Sequence, residues 1–130
     1  MIDPQLTQFS AAQWTTVCPL DRIAINTGVC ALVNDRQVAV FRIGDGTEVY
    51  AIGNYDPFSK AHVLSRGIVG DRNGIPKVAS PVYKHNFNLA TGECLDDPSI
   101  TVPKFAVRVV DGQVQVSDRF VWTDQKPTRS

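Results

Sequence analysis

Two residues, Asp111 and Gly112, separate "FAVRVV" (Phe105 to Val110) from "QVQVS" (Gln113 to Ser117). Asp-Gly between alternating apolar and polar residues predicts a β-hairpin, because a two-residue turn needs positive φ at both positions and these residue types supply it. The pattern recurs. "GVCALVNDRQVAVFRI" places Asn34-Asp35 between two β-branched runs, and Gly44-Asp45-Gly46 turns "QVAVFRI" into "TEVYAI". "QWTTVC" reads as a first strand and "LDRIAINTG" as a loop with a short strand. Helical periodicity is thin: "LTQFSAAQ" predicts one turn and "DPSIT" the start of another. Short strands closed by turn residues predict an all-β sandwich or barrel. The connection from Gly53 to Val78 is long and irregular, as a functional loop or the cover of an exposed edge would be.

The 130 residues predict a single domain spanning 1–130. Lys plus Arg and Asp plus Glu number 13 each. That balance gives no long-range attraction to nucleic acid, and no basic face stands out in the sequence. No apolar run is long enough to span a membrane, and "MIDPQLTQFS" lacks the pattern of a secretory signal. Both termini, "MIDPQ" and "TDQKPTRS", read as frayed polar ends. Three cysteines, Cys18, Cys30 and Cys94, cannot all pair within one chain, which predicts reduced, mostly buried thiols and a cytoplasmic location.

Chemistry-bearing residues are few. His62, His85 and Cys94 allow a Cys/His pair on paper, but sequence shows no third group to orient the base. Asp56, His62, His85 and Cys94 lack the close ligand pairs of a zinc site. "GDRNGIP" has only the composition of a phosphate loop and reads as a solvated turn.

The informative segments are two loops, "IGNYDPFSKAHVLSRGIVG" and "VASPVYKHNFNLATGE". As a pair, spanning 53–70 and 78–93, they resemble the cluster-binding subdomain of Rieske-type domains, which hold a [2Fe–2S] centre with two cysteines and two histidines. That family reads C-x-H and then Leu-Ser-x-Gly in its first loop. Here Asn54-Tyr55-Asp56 fills the first motif and Leu64-Ser65-Arg66-Gly67 the second. The second loop of the family reads C-P-x-H-x-W-x-F-x-L-x-x-Gly. Here it runs from Ser80-Pro81-Val82-Tyr83 through Phe87 and Leu89 to Gly92. All four ligand slots differ: Asn54, Asp56, Ser80 and Tyr83. These hard, weak donors are unsuited to iron that thiolate and imidazole normally hold. The resemblance therefore implies a Rieske-like fold, an antiparallel β-sandwich or barrel with a small loop-built subdomain and no cluster.

The departures themselves, Asn-x-Asp-Pro and Ser-Pro-x-Tyr-Lys, resemble small subunits of bacterial NADH-dependent assimilatory nitrite reductases, and the likeness extends over nearly the whole chain. It implies a large-subunit partner carrying FAD, siroheme and an iron–sulfur cluster, an assembly that reduces nitrite to ammonium. It also implies no cofactor, metal or catalytic residue in this chain. Tyr83 is expected to plug the space between the loops, with Asn54, Asp56 or Ser80 as hydroxyl partners. Pro57, Phe58, Lys60, Lys84 and His85 are expected to form the docking face, with Phe58 either its anchor or packed beneath its own loop. Two alternatives remain: a Rieske-type ferredoxin with unusual ligands, and a hydrolase using Cys94 or Ser80.

Overall fold

The computed structural model describes residues 12–122. The ends expected to fray, and most of the turn expected in "LTQFSAAQ", lie outside them. A six-stranded antiparallel sheet dominates, built from β1 (Trp14–Pro19), β2 (Thr27–Val33), β3 (Arg36–Ile43), β4 (Glu48–Gly53), β10 (Lys104–Val110) and β11 (Gln113–Val121). Its order is β1-β11-β10-β4-β3-β2. The edge strands β1 and β2 approach each other, so the sheet curls toward a barrel. A three-stranded sheet, β7 (Ile68–Arg72), β8 (Ile75–Ala79) and β9 (Asn86–Asn88), packs beside it with the two-stranded ribbon β5 (Tyr55–Asp56) and β6 (Ala61–His62). Among the described residues no helix is long and apolar enough to cross a membrane.

The expected hairpins form for the expected reason. Asn34 and Asp35 have φ of 50° and 68°, and Asp111 and Gly112 have 52° and 76°, the left-handed pair that a two-residue turn requires. A third such turn, Asn73-Gly74 with φ of 54° and 87°, joins β7 to β8. The stretch from Gly53 to Val78 is therefore not irregular: it holds β5, β6, β7 and most of β8. The short strand expected in "LDRIAINTG" is instead a 3-10 turn at Leu20–Arg22 followed by bends, until β2 begins at Thr27. "DPSIT" makes a single turn, with the Asp97 side chain accepting from the Ser99 amide and hydroxyl, so no helix starts there.

Strand β3 explains why "VAVF" is an unbroken apolar run. Val38 and Val40 face the barrel interior with Ala51, Phe105, Val114 and Val116. Ala39, Phe41 and Ile43 face the opposite way and pack with Leu64, Val78 and Phe87 of the small subdomain. A strand buried on both faces loses the polar alternation of a half-exposed one. Gly67 is forced by a close approach: a Cβ there would overlap the Ala79 carbonyl oxygen, so the first loop could not lie against the second. Gly92, at φ 84°, turns the chain beneath Val102.

Candidate functional site: the interface of two loops

The first-loop slots point inward. Asn54 is buried and fully engaged. Its amide nitrogen donates to Gln37 Oε1 at 3.1 Å and reaches Cys30 Sγ at 3.5 Å, while its Oδ1 accepts from the Ser65 amide at 2.7 Å. Its backbone continues the tie, donating to the Gln37 carbonyl and accepting from the Leu64 amide. Asn54 thus fastens the Leu64–Arg66 turn to the main sheet.

Asp56 is completely buried, an expensive place for a carboxylate without donors. Three surround it. The Ser80 hydroxyl donates at 2.5 Å from the other loop, the Ser59 hydroxyl at 2.9 Å and the Phe58 amide at 2.9 Å. Burial by itself raises the Asp56 pKa, but the bonds from Ser80, Phe58 and Ser59 outweigh it and hold the carboxyl below its ordinary value. Ser80 is equally buried and organises its own loop. Its Oγ accepts from the Val82 amide at 3.4 Å, and its carbonyl accepts from the Lys84 amide at 3.1 Å. A short, charge-assisted bond therefore joins one slot of each loop.

Tyr83 does not plug the gap. Its side chain is 62% exposed. The physical reason is the bond just described: Asp56 and Ser80 already meet where the expected plug would sit, and the turn they close carries Tyr83 outward. Phe58 takes the inward role instead. Its ring stacks on His85 with centroids 3.6 Å apart and planes 4° from parallel, and it packs against the core beside Phe87. Phe58 therefore packs beneath its own loop. Pro57 and His85 are half-buried, while Lys60 and Lys84 are exposed. No periodicity pairs Phe58 with His85, which lie on different loops, so the sequence carries no sign of this cross-loop contact.

The remaining candidates are not brought together. His62 is exposed and lies against the Tyr55 ring, 5.1 Å between centroids. Cys94 is buried in the subdomain core, where burial pushes its thiol pKa up, the reverse of an activated nucleophile. The Ser80 hydroxyl donates to a carboxylate and meets no imidazole base. Of the thiols only Cys94 is buried; Cys18 is half-buried and Cys30 exposed, so the expectation of mostly buried cysteines does not hold. Among the described residues no three His, Cys, Asp or Glu side chains cluster as a metal site.

A family model for the Rieske-like [2Fe–2S] domain matches residues 13–117. The nitrite reductase (NADH) small subunit of Escherichia coli is 45% identical over 105 residues, covering 81% of this chain and 97% of that protein. The chain belongs to the Rieske-like family, among the nitrite reductase small subunits. The solved structure of the Escherichia coli protein NirD superposes with a TM-score of 0.77 at 44% identity, covering 82% of this chain and 97% of that one. Two further relatives of this chain are instructive. The nitrite reductase [NAD(P)H] large subunit of Klebsiella oxytoca is 40% identical over 124 residues, 89% of this chain but 13% of that protein. The anthranilate 1,2-dioxygenase ferredoxin subunit of Burkholderia cepacia is 31% identical over 115 residues, covering 86% and 98%.

The [2Fe–2S] group in the family's description can be tested against these donors. Rieske centres are held by two thiolates and two imidazoles. The matching slots here offer an amide whose oxygen and nitrogen are already engaged, a carboxylate and a hydroxyl bonded to each other, and a phenol turned outward. These residues do not fit the cluster.

Proposed function

We propose that this chain is a cofactor-free accessory subunit of an NAD(P)H-dependent nitrite reductase, acting in nitrogen assimilation in the cytoplasm by docking on the large subunit. The observation that carries the reading is the direct Asp56–Ser80 bond across the two loops, which takes the space and the lone pairs a metal centre would use. The partner is supported by the Klebsiella oxytoca relative, where a similar segment belongs to a reductase large subunit. On this reading FAD, siroheme and the iron–sulfur cluster reside on the large subunit, and the chain contributes no catalytic residue. The loops 53–70 and 78–93, including Pro57, Phe58, Lys60, Lys84 and His85, form the docking region, with Phe58 and His85 as its internal support.

The second reading, a ferredoxin passing electrons, is favoured by the dioxygenase ferredoxin relative. Iron analysis and a visible spectrum of freshly purified protein separate the two. The accessory reading expects a colourless solution with iron far below stoichiometric. A brown protein with near two irons per chain would sink it.

A further inference from the structure

The chain is neutral as a whole, with 13 cationic and 13 anionic side chains. The two loops are not. Across 53–70 and 78–93 the carboxylates are Asp56, buried and engaged, and Glu93, exposed at the end of the second loop where its backbone bridges to Thr101, while Lys60, Arg66 and Lys84 are all exposed. None of these three pairs with a described carboxylate. The loop tips, at Lys60 and Lys84, are therefore electropositive on a neutral molecule, a feature that the overall balance of charges conceals.

Backbone geometry singles out two of these cations. Among the described residues seven non-glycine positions have positive φ, and five are Asn or Asp, the types that tolerate it. The other two are Lys60 at 60° and Lys84 at 66°. Lysine gains nothing from this conformation, so at both loop tips an unfavourable backbone carries a charged side chain, as happens at functional sites. The Phe58–His85 stack brings the Lys60 and Lys84 segments side by side.

Apolar surface lies beside the charge. Tyr83 and Val82 are 62% and 47% exposed, and Ile68, opposite Ala79 on the neighbouring strand, is 69% exposed. The turn carrying Tyr83 is held by Ser80 from within, and Ser80 by Asp56, so the phenol is presented on a fixed support that loses little freedom on binding.

We propose that the loop tips are an electropositive docking face with Tyr83 as its anchor, complementary to an acidic-rimmed apolar pocket on the large reductase subunit. Phe58 is support rather than anchor. The proposal rests on the accessory-subunit reading. An exposed tyrosine next to Lys84, with Lys60 on the facing loop tip, suits a partner that supplies carboxylates around an apolar recess.

The test is binding of the full chain to the purified large subunit, followed calorimetrically at two salt concentrations. The Kd is expected to rise about tenfold between roughly 50 and 500 mM salt, because exposed charge pairs are screened. Tyr83→Ala should weaken binding about 30-fold with an unchanged Tm. The double variant Lys60→Asn, Lys84→Asn keeps residues suited to positive φ and should weaken binding while flattening the salt dependence. Wild-type binding that neither variant shifts by more than about twofold overturns the proposal. It would place the contact elsewhere on the domain. A wild-type chain that does not bind at either salt sinks the accessory reading, and the docking face with it.

Discussion

The barrel and the loop subdomain are held by different kinds of contact. The barrel interior is aliphatic, with Val33, Val38, Val40, Val114 and Val116 closed around Phe105, and its polar groups are satisfied by the sheet ladder. The subdomain has an apolar floor at Phe87 and Leu89, but its upper half is joined by side chains: Asn54 to Gln37, Asp56 to Ser80, Phe58 to His85. Burial of area is forgiving of small shifts, whereas a buried carboxylate needs its donors in place. The barrel can thus vary while staying a barrel. The loops depend on specific cross-links such as Asp56–Ser80.

That contrast can be broken in graded steps. Phe87→Ala, which empties the floor beneath both loops, should cost about 3–5 kcal/mol in chemical denaturation, as large aromatic truncations do. Ser80→Ala removes one donor from a buried carboxylate and should cost about 1–3 kcal/mol. Its signature is local: amides of Val82 and Lys84, which donate to Ser80, should exchange faster while those of β11 do not, and uniform acceleration would show that the loops have no separate fastening. Acid sharpens the same point. The folded Asp56 pKa is lowered, so the stability it contributes is complete above the unfolded value of about 3.9 and is lost as pH falls through the lower folded value. Asp56→Asn should reduce that acid-limb slope in a titration of stability against pH, and an unaltered slope would assign it to other carboxylates. Smallest of all, Tyr83→Ala should leave stability within about 0.5 kcal/mol, as exposed substitutions do.

Much of the barrel was legible because its turns are written in single residues. Asn34-Asp35 and Asp111-Gly112 declare their hairpins, and β11 follows from strict alternation. Asn73-Gly74 carries the same signal inside "GDRNGIP", and the solvated turn read there is the one that joins β7 to β8. The ribbon β5–β6 was not legible, since strands of two residues have no period. At the site, the altered slots and the family likeness could be read directly from residues. The direction of Tyr83 could not, because it follows from a bond between residues 24 positions apart, Asp56 and Ser80. The cationic face was countable in the loop segments, but a whole-chain balance averages it away.

One strand gives the two bodies a common fate. Because β3 sends alternate side chains into the barrel and the subdomain, neither can melt while the other keeps its wall. Adjacent residues, Val40 and Phe41, belong to opposite compartments of one cooperative unit. Thermal unfolding watched at the barrel tryptophan Trp14 and at the loop tyrosines should therefore trace one coincident transition. The loops, excised with their flanking hairpin alone, should not fold.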